Sequence, residues 1–113
     1  MLSARKYGDR LTVGVDFELD QHHADLARDE LEALLADPSI THLTLDLSGM
    51  RFMDSSGIGF ILGRVHTMER RGGRVSVTGI SPHVDRIMQM SGLYRVLDRA
   101  TEQKKRVGKG EGA

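Results

Sequence analysis

The chain has 113 residues, enough for one domain with a hydrophobic core of its own. Basic and acidic residues number 16 each, so the formal net charge is zero. This balance argues against a nucleic-acid-binding protein that relies on bulk positive charge, and against a polybasic membrane anchor. Cysteine is absent and the N-terminal residues lack the apolar run of a secretory signal, so we expect a cytoplasmic domain that spans no membrane.

The first elements are predicted to be two strands joined by a turn. Through residues 10–18 apolar and polar side chains alternate, with the apolar ones at Leu11, Val13, Val15 and Phe17. This period of two predicts a strand with one solvent-facing side. Residues 3–9 are predicted to supply a partner strand that ends in a turn at Gly8 and Asp9.

A helix is predicted next, beginning at Asp20. An aspartate there can cap the helix, because its carboxylate accepts a hydrogen bond from an unpaired backbone N–H. Pro38 fits the loop that ends the helix. The apolar side of the helix carries residues at helical spacing, Ala27, Leu31, Leu34 and Leu35.

Residues 41–47 predict a further strand, and a second helix follows it. Arg70 and Arg71 lie in the last turn of this helix, where cations suit the negative end of the helix dipole. Its apolar stripe consists of Ile58, Ile61, Leu62, Val65 and Met68.

The last predicted elements are a core strand over residues 74–79 and a third helix. Ser81 as cap and Pro82 in the first turn give a strong start signal for this helix, and Gly92 ends it. Residues 93–97 are predicted to be extended.

The alternation of strands and helices predicts an α/β fold, a small mixed sheet of four or five strands with helices packed against it. This domain is expected to occupy residues 1–100. Residues 101–113 hold four cations, two acids and three glycines without an apolar stripe, so they predict a polar, flexible tail. Right-handed crossovers place residues 52–59 at the C-terminal end of a strand, where open α/β sheets usually have their sites.

The stretch FMDSSGIG at 52–59 matches no common catalytic motif. Its glycines continue as G-x-G-x-x-x-G, one residue longer than the dinucleotide-binding fingerprint, and DSSGIG is not the nucleophile elbow of serine hydrolases. The five histidines lack metal-ligand spacing and are expected at the surface or in caps. We therefore predict no catalytic residue, no cofactor and no metal.

The two serines leave two interpretations open. Ser55 and Ser56 could simply cap the following helix. Alternatively, an exposed serine at a helix start could receive a phosphate, since the free N–H groups there favour an anion. Gly59 and Gly63 share one face of this helix and each costs about 0.5–1 kcal/mol relative to alanine, so we expect the backbone to approach the sheet or a partner closely there.

Three stretches together resemble a known family. FMDSSGIGFILGRV at 52–65 and ISPHVDRIMQMSGLYRVL at 80–97 are similar to the STAS domain anti-sigma factor antagonists, most of all to the sporulation stage II AA type. FELDQHHA at 17–24 resembles that family's segment between the second strand and the first helix. The resemblance runs from about Leu11 to Leu97.

The resemblance implies a switch rather than an enzyme. Members of the family bind an anti-sigma factor that is also a serine kinase, and thereby free a sigma factor; a phosphoserine phosphatase restores the binding form. Nucleic acid and membranes are not implied as partners. Ser55, the first serine of D-S-S-G, is implied as the phosphorylation site, with Ser56 as second choice. The implied partner surface comprises Asp20, Asp54, Ser55, Ser56, Gly57 and Gly59.

The sequence departs from the family at two places. Phe17 stands where the family often has glycine before E-L-D, and residues 101–113 have no clear counterpart of the family's closing helix. Two alternatives remain open at this point. One is another STAS role, as a scaffold or a transporter-regulating module, and the other is a small nucleotide-binding enzyme.

Overall fold

A computed structural model of the chain describes residues 2–16, 18 and 20–101. Its strands are β1 (Leu2–Tyr7), β2 (Arg10–Val15), β3 (His42–Asp46) and β4 (Arg74–Thr78). Its helices are α1 (Gln21–Leu34), α2 (Ser55–Glu69) and α3 (Pro82–Ser91), followed by a short 3₁₀ helix (Leu93–Arg95). Phe17, predicted at the end of β2, and residues 102–113 of the predicted tail lie outside the described residues.

The four strands form one mixed sheet in the order β1–β2–β3–β4. β1 and β2 are antiparallel and are joined by the predicted turn, in which Gly8 has a φ of 61°. β2, β3 and β4 are parallel, with Val13 opposite Leu45 and Leu45 opposite Val77. Because α1 and α2 each connect two parallel neighbours, both helices begin at the edge where those strands end. The predicted α/β fold with a mixed sheet is confirmed.

One cluster of buried apolar side chains joins the sheet to the helices. The alternation in β2 buries the three side chains predicted for it, Leu11, Val13 and Val15. From α1 the core receives Ala27 and Leu31, with Leu35 just beyond the helix, whereas Leu34 is only partly buried. The other two helices contribute Phe60, Ile61, Val65, Met68, Val84 and Met88.

The prediction that residues 93–97 are extended is wrong. Gly92 ends α3 in the left-handed conformation, with a φ of 80°, and the chain then forms a 3₁₀ helix. This turn allows both Leu93 and Leu97 to reach the core. The chain then passes along β4, where Asp98 N donates to Val75 O at 2.8 Å and Val77 N donates to Thr101 Oγ1 at 3.0 Å.

Among the described residues, no helix combines the length and the apolar character needed to cross a membrane.

Candidate functional site

The start of α2 is capped by Asp54 and not by a serine. The Asp54 carboxylate accepts hydrogen bonds from Ser56 N at 2.9 Å and from Gly57 N at 3.4 Å. The interpretation of the serines as caps is therefore wrong, because the acid before them fills that role. The sequence predicts that free N–H groups at this helix start favour a phosphate. Two of these groups, Ser56 N and Gly57 N, already donate to the Asp54 carboxylate.

The two serines differ in exposure. Ser55 is the first residue of α2 and its side chain is exposed, whereas Ser56 is half-buried. Neither hydroxyl serves as the helix cap in this arrangement. Of the two, Ser55 is the more accessible to a macromolecule.

The glycines of this turn lie in opposite environments. Gly57 is buried, and a Cβ added there would stand 2.5 Å from Met53 Cγ. Gly59 is exposed, and a Cβ added there would meet nothing within 4 Å. Gly57 is therefore required by packing beneath the helix start, while Gly59 leaves open space above it.

The segment that leads into the site is held from two sides. The Glu18 carboxylate accepts from Arg51 N at 3.2 Å and from Phe52 N at 3.4 Å. From the other side, Ser81 Oγ donates to Arg51 O at 2.9 Å while accepting from Val84 N as the cap of α3. These contacts fix the approach to Asp54, and no pattern in the sequence indicated them.

Asp20 caps α1, as predicted. Its Oδ1 accepts from His23 N at 2.9 Å and lies 2.9 Å from His23 Nδ1. The hydrogen bond from His23 N is the main cause that lowers the pKa of the Asp20 carboxyl, so this exposed side chain carries a negative charge at neutral pH. The cap role is thus confirmed, and the charge remains available at the surface.

The starts of α1 and α2 border one groove. The groove has a volume of about 340 Å³, and its lining includes Gln21, next to Asp20, together with Ser55, Ser56 and Gly59. The structure therefore brings the predicted residues of both helix starts to one side of the molecule. Asp54 directly precedes Ser55 as the cap of α2, and Gly57 is buried against Met53 in the first turn.

An arginine in the same groove was missed by the sequence analysis. Arg64 is only 3% exposed, and its guanidinium carbon stands 5.2 Å from the centre of the Phe60 ring. Burial lowers its pKa. The signal was present, because Arg64 interrupts the apolar stripe three residues after Ile61 and four before Met68.

One histidine contradicts the prediction that histidines lie at the surface or in caps. His42 is 7% exposed, and its Nε2 lies 2.7 Å from Ser76 Oγ and 3.7 Å from Asp98 Oδ2. In a catalytic triad the serine and the acid contact different nitrogens of the histidine ring. Here Ser76 and Asp98 both lie beside Nε2 of His42, so this cluster is not a catalytic triad. Over the described part of the chain, no three metal-ligating side chains gather where they could hold an ion.

The mixed four-stranded sheet with three helices is the fold of a small α/β domain with an exposed serine at the start of its second helix, and comparison with known proteins gives its family. The chain belongs to the STAS domain family, whose profile matches residues 1–106. The resemblance drawn from the sequence motifs is confirmed.

Relatives and solved structures agree with this assignment. The chain is 37% identical over 87 residues to an anti-sigma F factor antagonist of Paenibacillus polymyxa, covering 77% of this chain and 74% of that protein. Its fold matches the anti-sigma factor antagonist SpoIIAA in the unphosphorylated form, with a TM-score of 0.75, 28% identity and 90% of each chain covered. It also matches the Bacillus cell fate determinant SpoIIAA in the phosphorylated form, with a TM-score of 0.69, 27% identity and coverage of 90% and 93%.

Proposed function

We propose that this chain is an anti-sigma factor antagonist switched by phosphorylation of Ser55. In the unphosphorylated form it binds an anti-sigma factor that is also a serine kinase, and a sigma factor is released. Phosphorylation by that kinase ends the binding, and a phosphoserine phosphatase restores it. The observation that carries this proposal is an exposed Ser55 at the first position of α2, in a chain 37% identical to an anti-sigma F factor antagonist.

The geometry favours Ser55 over Ser56 as the phosphorylation site. A kinase must bring the hydroxyl in line with the γ-phosphate of ATP, which requires an accessible side chain. Ser55 meets this requirement, whereas Ser56 is half-buried. Ser56 remains the second choice.

The partner surface is proposed to consist of the two helix starts. Asp20 contributes a negative charge, Asp54 and Ser55 contribute polar groups, and the exposed Gly59 lets a partner approach the backbone of α2. Gly57 supports this surface from below, because it is buried against Met53. Gly57 therefore contributes to binding through the shape that it allows at the start of α2.

The experiment is incubation with ATP and the cognate anti-sigma factor kinase, followed by intact mass measurement and peptide mapping. The wild type should become a stable phosphoprotein modified at Ser55. Ser55→Ala should remain unmodified and bound to the kinase in the presence of ATP, and Ser55→Asp should bind poorly. Ser56→Ala is the matched control and should behave as the wild type. Phosphate mapped to Ser56 alone would overturn the site assignment.

A second variant tests the charge at Asp20 separately from its cap. Asparagine caps helices about as well as aspartate, so Asp20→Asn removes the charge and keeps the hydrogen bond to His23 N. We expect weaker partner binding with an unchanged melting temperature. If Asp20→Asn binds the partner and is phosphorylated normally, Asp20 acts only as a helix cap.

The same incubation distinguishes the alternative functions. A small nucleotide-binding enzyme would turn over a substrate without becoming a stable phosphoprotein. A scaffold or transporter-regulating STAS domain would neither be phosphorylated by an anti-sigma factor kinase nor release a sigma factor from it.

A further inference from the structure

Phe52 is an exposed aromatic side chain next to the phosphorylation site proposed above. It is 57% exposed and lies in the loop between β3 and α2, three residues before Ser55. Three residues of chain span at most about 11 Å, so the two backbones lie within that distance of each other. The function proposed above assigns no role to Phe52.

The backbone that carries Phe52 is held by distant parts of the chain. The Glu18 carboxylate accepts hydrogen bonds from Arg51 N at 3.2 Å and from Phe52 N at 3.4 Å. Ser81 Oγ donates to Arg51 O at 2.9 Å. An exposed aromatic residue on a fixed backbone loses little conformational freedom when a partner covers it, because only its two side-chain torsions remain to be ordered.

The Phe52 ring extends the site toward α3. It stands at 87° to the ring of His83, with 6.0 Å between the two ring centres. His83 is the second residue of α3 and is also exposed. Because β3 lies between β2 and β4, the helix starts that follow these strands lie side by side, with the start of α2 and Ser55 in the middle.

A kinase that modifies Ser55 also has to cover Phe52. Phosphoryl transfer requires the serine hydroxyl to reach the γ-phosphate of the bound nucleotide, so the kinase surface surrounds that residue. Stable interfaces bury about 800 Å² on each partner, which corresponds to a disc of roughly 16 Å radius. A disc of this size around Ser55 includes Phe52, which is at most about 11 Å away along the chain.

We propose that Phe52, with His83 at its edge, is an aromatic anchor that inserts into an apolar pocket of the anti-sigma factor kinase. This inference rests on the proposed function and names the chemistry of the partner's surface. A phenyl ring offers no hydrogen-bond donor or acceptor, so covering it with apolar groups gives the largest gain. Aromatic side chains are enriched in the buried centres of interfaces, and a few such residues supply most of the binding energy.

A fluorescent reporter tests whether the partner covers position 52. The chain has no tryptophan, so Phe52→Trp introduces a single indole, and titration of the wild type gives the background from the kinase. Addition of the kinase with ADP should shift the emission of Phe52→Trp to shorter wavelength. An unchanged emission despite binding would overturn the inference. A shift that depends on the concentration of Phe52→Trp alone would assign the surface to a second copy of the chain and would also overturn it.

Tyr7 supplies the matched control for this reporter. It is 66% exposed, and it pairs with Arg10 at the start of β2, at the opposite edge of the sheet from Ser55. The emission of Tyr7→Trp should therefore stay constant when the kinase binds. An equal shift at both positions would show that the change does not report on the proposed interface, and would overturn the inference.

Affinity for the kinase gives the second test. Phe52→Ala should weaken binding at least tenfold, and Phe52→Leu should weaken it less, because leucine keeps an apolar side chain. The melting temperature should change by less than about 4 °C, since the substituted side chain is exposed. Equal binding by Phe52→Ala and the wild type would overturn the inference and leave the proposed function intact. Failure of the wild type itself to bind would overturn the proposed function, and the inference with it.

A double-mutant cycle tests whether the fixed backbone matters for binding. Glu18→Ala removes the acceptor of Arg51 N and Phe52 N, so it should weaken binding of the kinase by the otherwise unchanged chain. The same substitution should have no further effect in a Phe52→Ala background, because the anchor is already absent. Additive losses would show that Glu18 acts on the partner independently, and would overturn its role in positioning Phe52.

Discussion

At the scale of single residues, Gly57 and Gly59 allow a prediction with a built-in control. Gly57→Ala forces a methyl group to within 2.5 Å of Met53 Cγ, a buried atom in the middle of its side chain, so we expect a loss of about 1–3 kcal/mol in unfolding free energy. Gly59→Ala enters open space and should gain about 0.5–1 kcal/mol from helix propensity. Urea unfolding measures both changes. Equal effects of the two substitutions would contradict this account of Gly57.

His42 predicts how stability depends on pH. Burial is the main cause that lowers its pKa below the ordinary 6.5, and Arg10 and Arg74 lower it further against the opposing charges of Asp98 and Asp9. The unfolded chain therefore takes up the proton more readily than the folded chain. The contribution of His42 is fully present above pH 6.5 and is lost as the pH falls from 6.5 through the lower pKa of the folded state.

The variant His42→Gln tests this dependence, because glutamine can still hydrogen-bond Ser76 but does not titrate. Unfolding free energy measured between pH 5 and pH 7 should fall with decreasing pH less steeply for His42→Gln than for the wild type. His66→Gln, at an exposed position, is the control and should keep the wild-type slope. An unchanged slope in His42→Gln would show that another group controls the acid side of the stability curve.

Single residues also mark the limit of what the sequence reveals about the site. The D-S-S-G motif located the helix start, but spacing alone did not decide whether Asp54 or a serine caps it. That choice depends on backbone geometry, since Asp54 lies in the extended conformation before the helix and Ser55 is already helical. The burial of His42 could not be predicted either, because it depends on contacts with Ser76 and Asp98, which lie 34 and 56 residues away in the chain.

At the scale of elements, the end of α2 is tied to the loop that follows α1. Arg71 donates from Nη2 to Leu35 O at 2.7 Å, and from Nη1 to Asp37 O and Ile40 O, each at 3.1 Å. The sequence predicted Arg70 and Arg71 in the last turn of α2, but the helix ends at Glu69, so Arg70 is its cap and Arg71 lies beyond it. Arg71 instead binds carbonyls at and after the end of α1, where helix carbonyls lack partners within the helix.

This contact predicts a large difference between two adjacent arginines. Arg71→Ala should lower the unfolding free energy by at least about 2 kcal/mol, because hydrogen bonds to a charged group contribute about 1.5–3 kcal/mol each. Arg70→Ala, at an exposed position, should stay within about 0.5 kcal/mol of the wild type. Arg71→Lys should be intermediate, since lysine lacks the planar fork. Chemical denaturation that shows equal effects at both positions would contradict the proposed tie.

Periodicity predicted the regular elements well and the irregular ones poorly. The alternation in β2 was confirmed, because burial on one face imposes a fixed period. Of the stripe predicted for α2, Ile61, Val65 and Met68 are buried, whereas Ile58 and Leu62 are only partly buried. Residues 93–97 show no comparable period, and the conformation of Gly92 decides their course. The segment after them is held by hydrogen bonds from Asp98 N to Val75 O and from Val77 N to Thr101 Oγ1, which no local pattern reveals.

At the scale of the whole molecule, the fold places the parts of the site by topology. α1 follows β2 and α2 follows β3, and these two strands are parallel neighbours. Both helix starts therefore lie at the same edge of the sheet, where the groove with Gln21 and Ser55 opens. The sequence predicted this edge correctly, since it follows from the order of strands and helices. The groove itself depends on the angle and spacing of two helices and was not predictable from periodicity.

The last prediction is that phosphorylation of Ser55 leaves the fold nearly unchanged. The helix start offers the phosphate less stabilisation than free N–H groups would, because Ser56 N and Gly57 N already donate to Asp54. Repulsion from Asp54 is also limited, since both groups are exposed, and in water two unit charges 4 Å apart interact by only about 1 kcal/mol.

Amide NMR spectra of the two forms measure this directly. Shift changes should be confined to the rim of the groove, near residues 20–28 and 54–64, and the melting temperature should change by less than about 4 °C, the effect of roughly 1 kcal/mol in a domain of this size. Ser55→Ala treated with kinase and ATP is the control and should show no changes. Shifts that spread through β2, β3 and β4 would mean that the phosphate acts by rearranging the core, because those strands and both helices share one cluster of buried side chains.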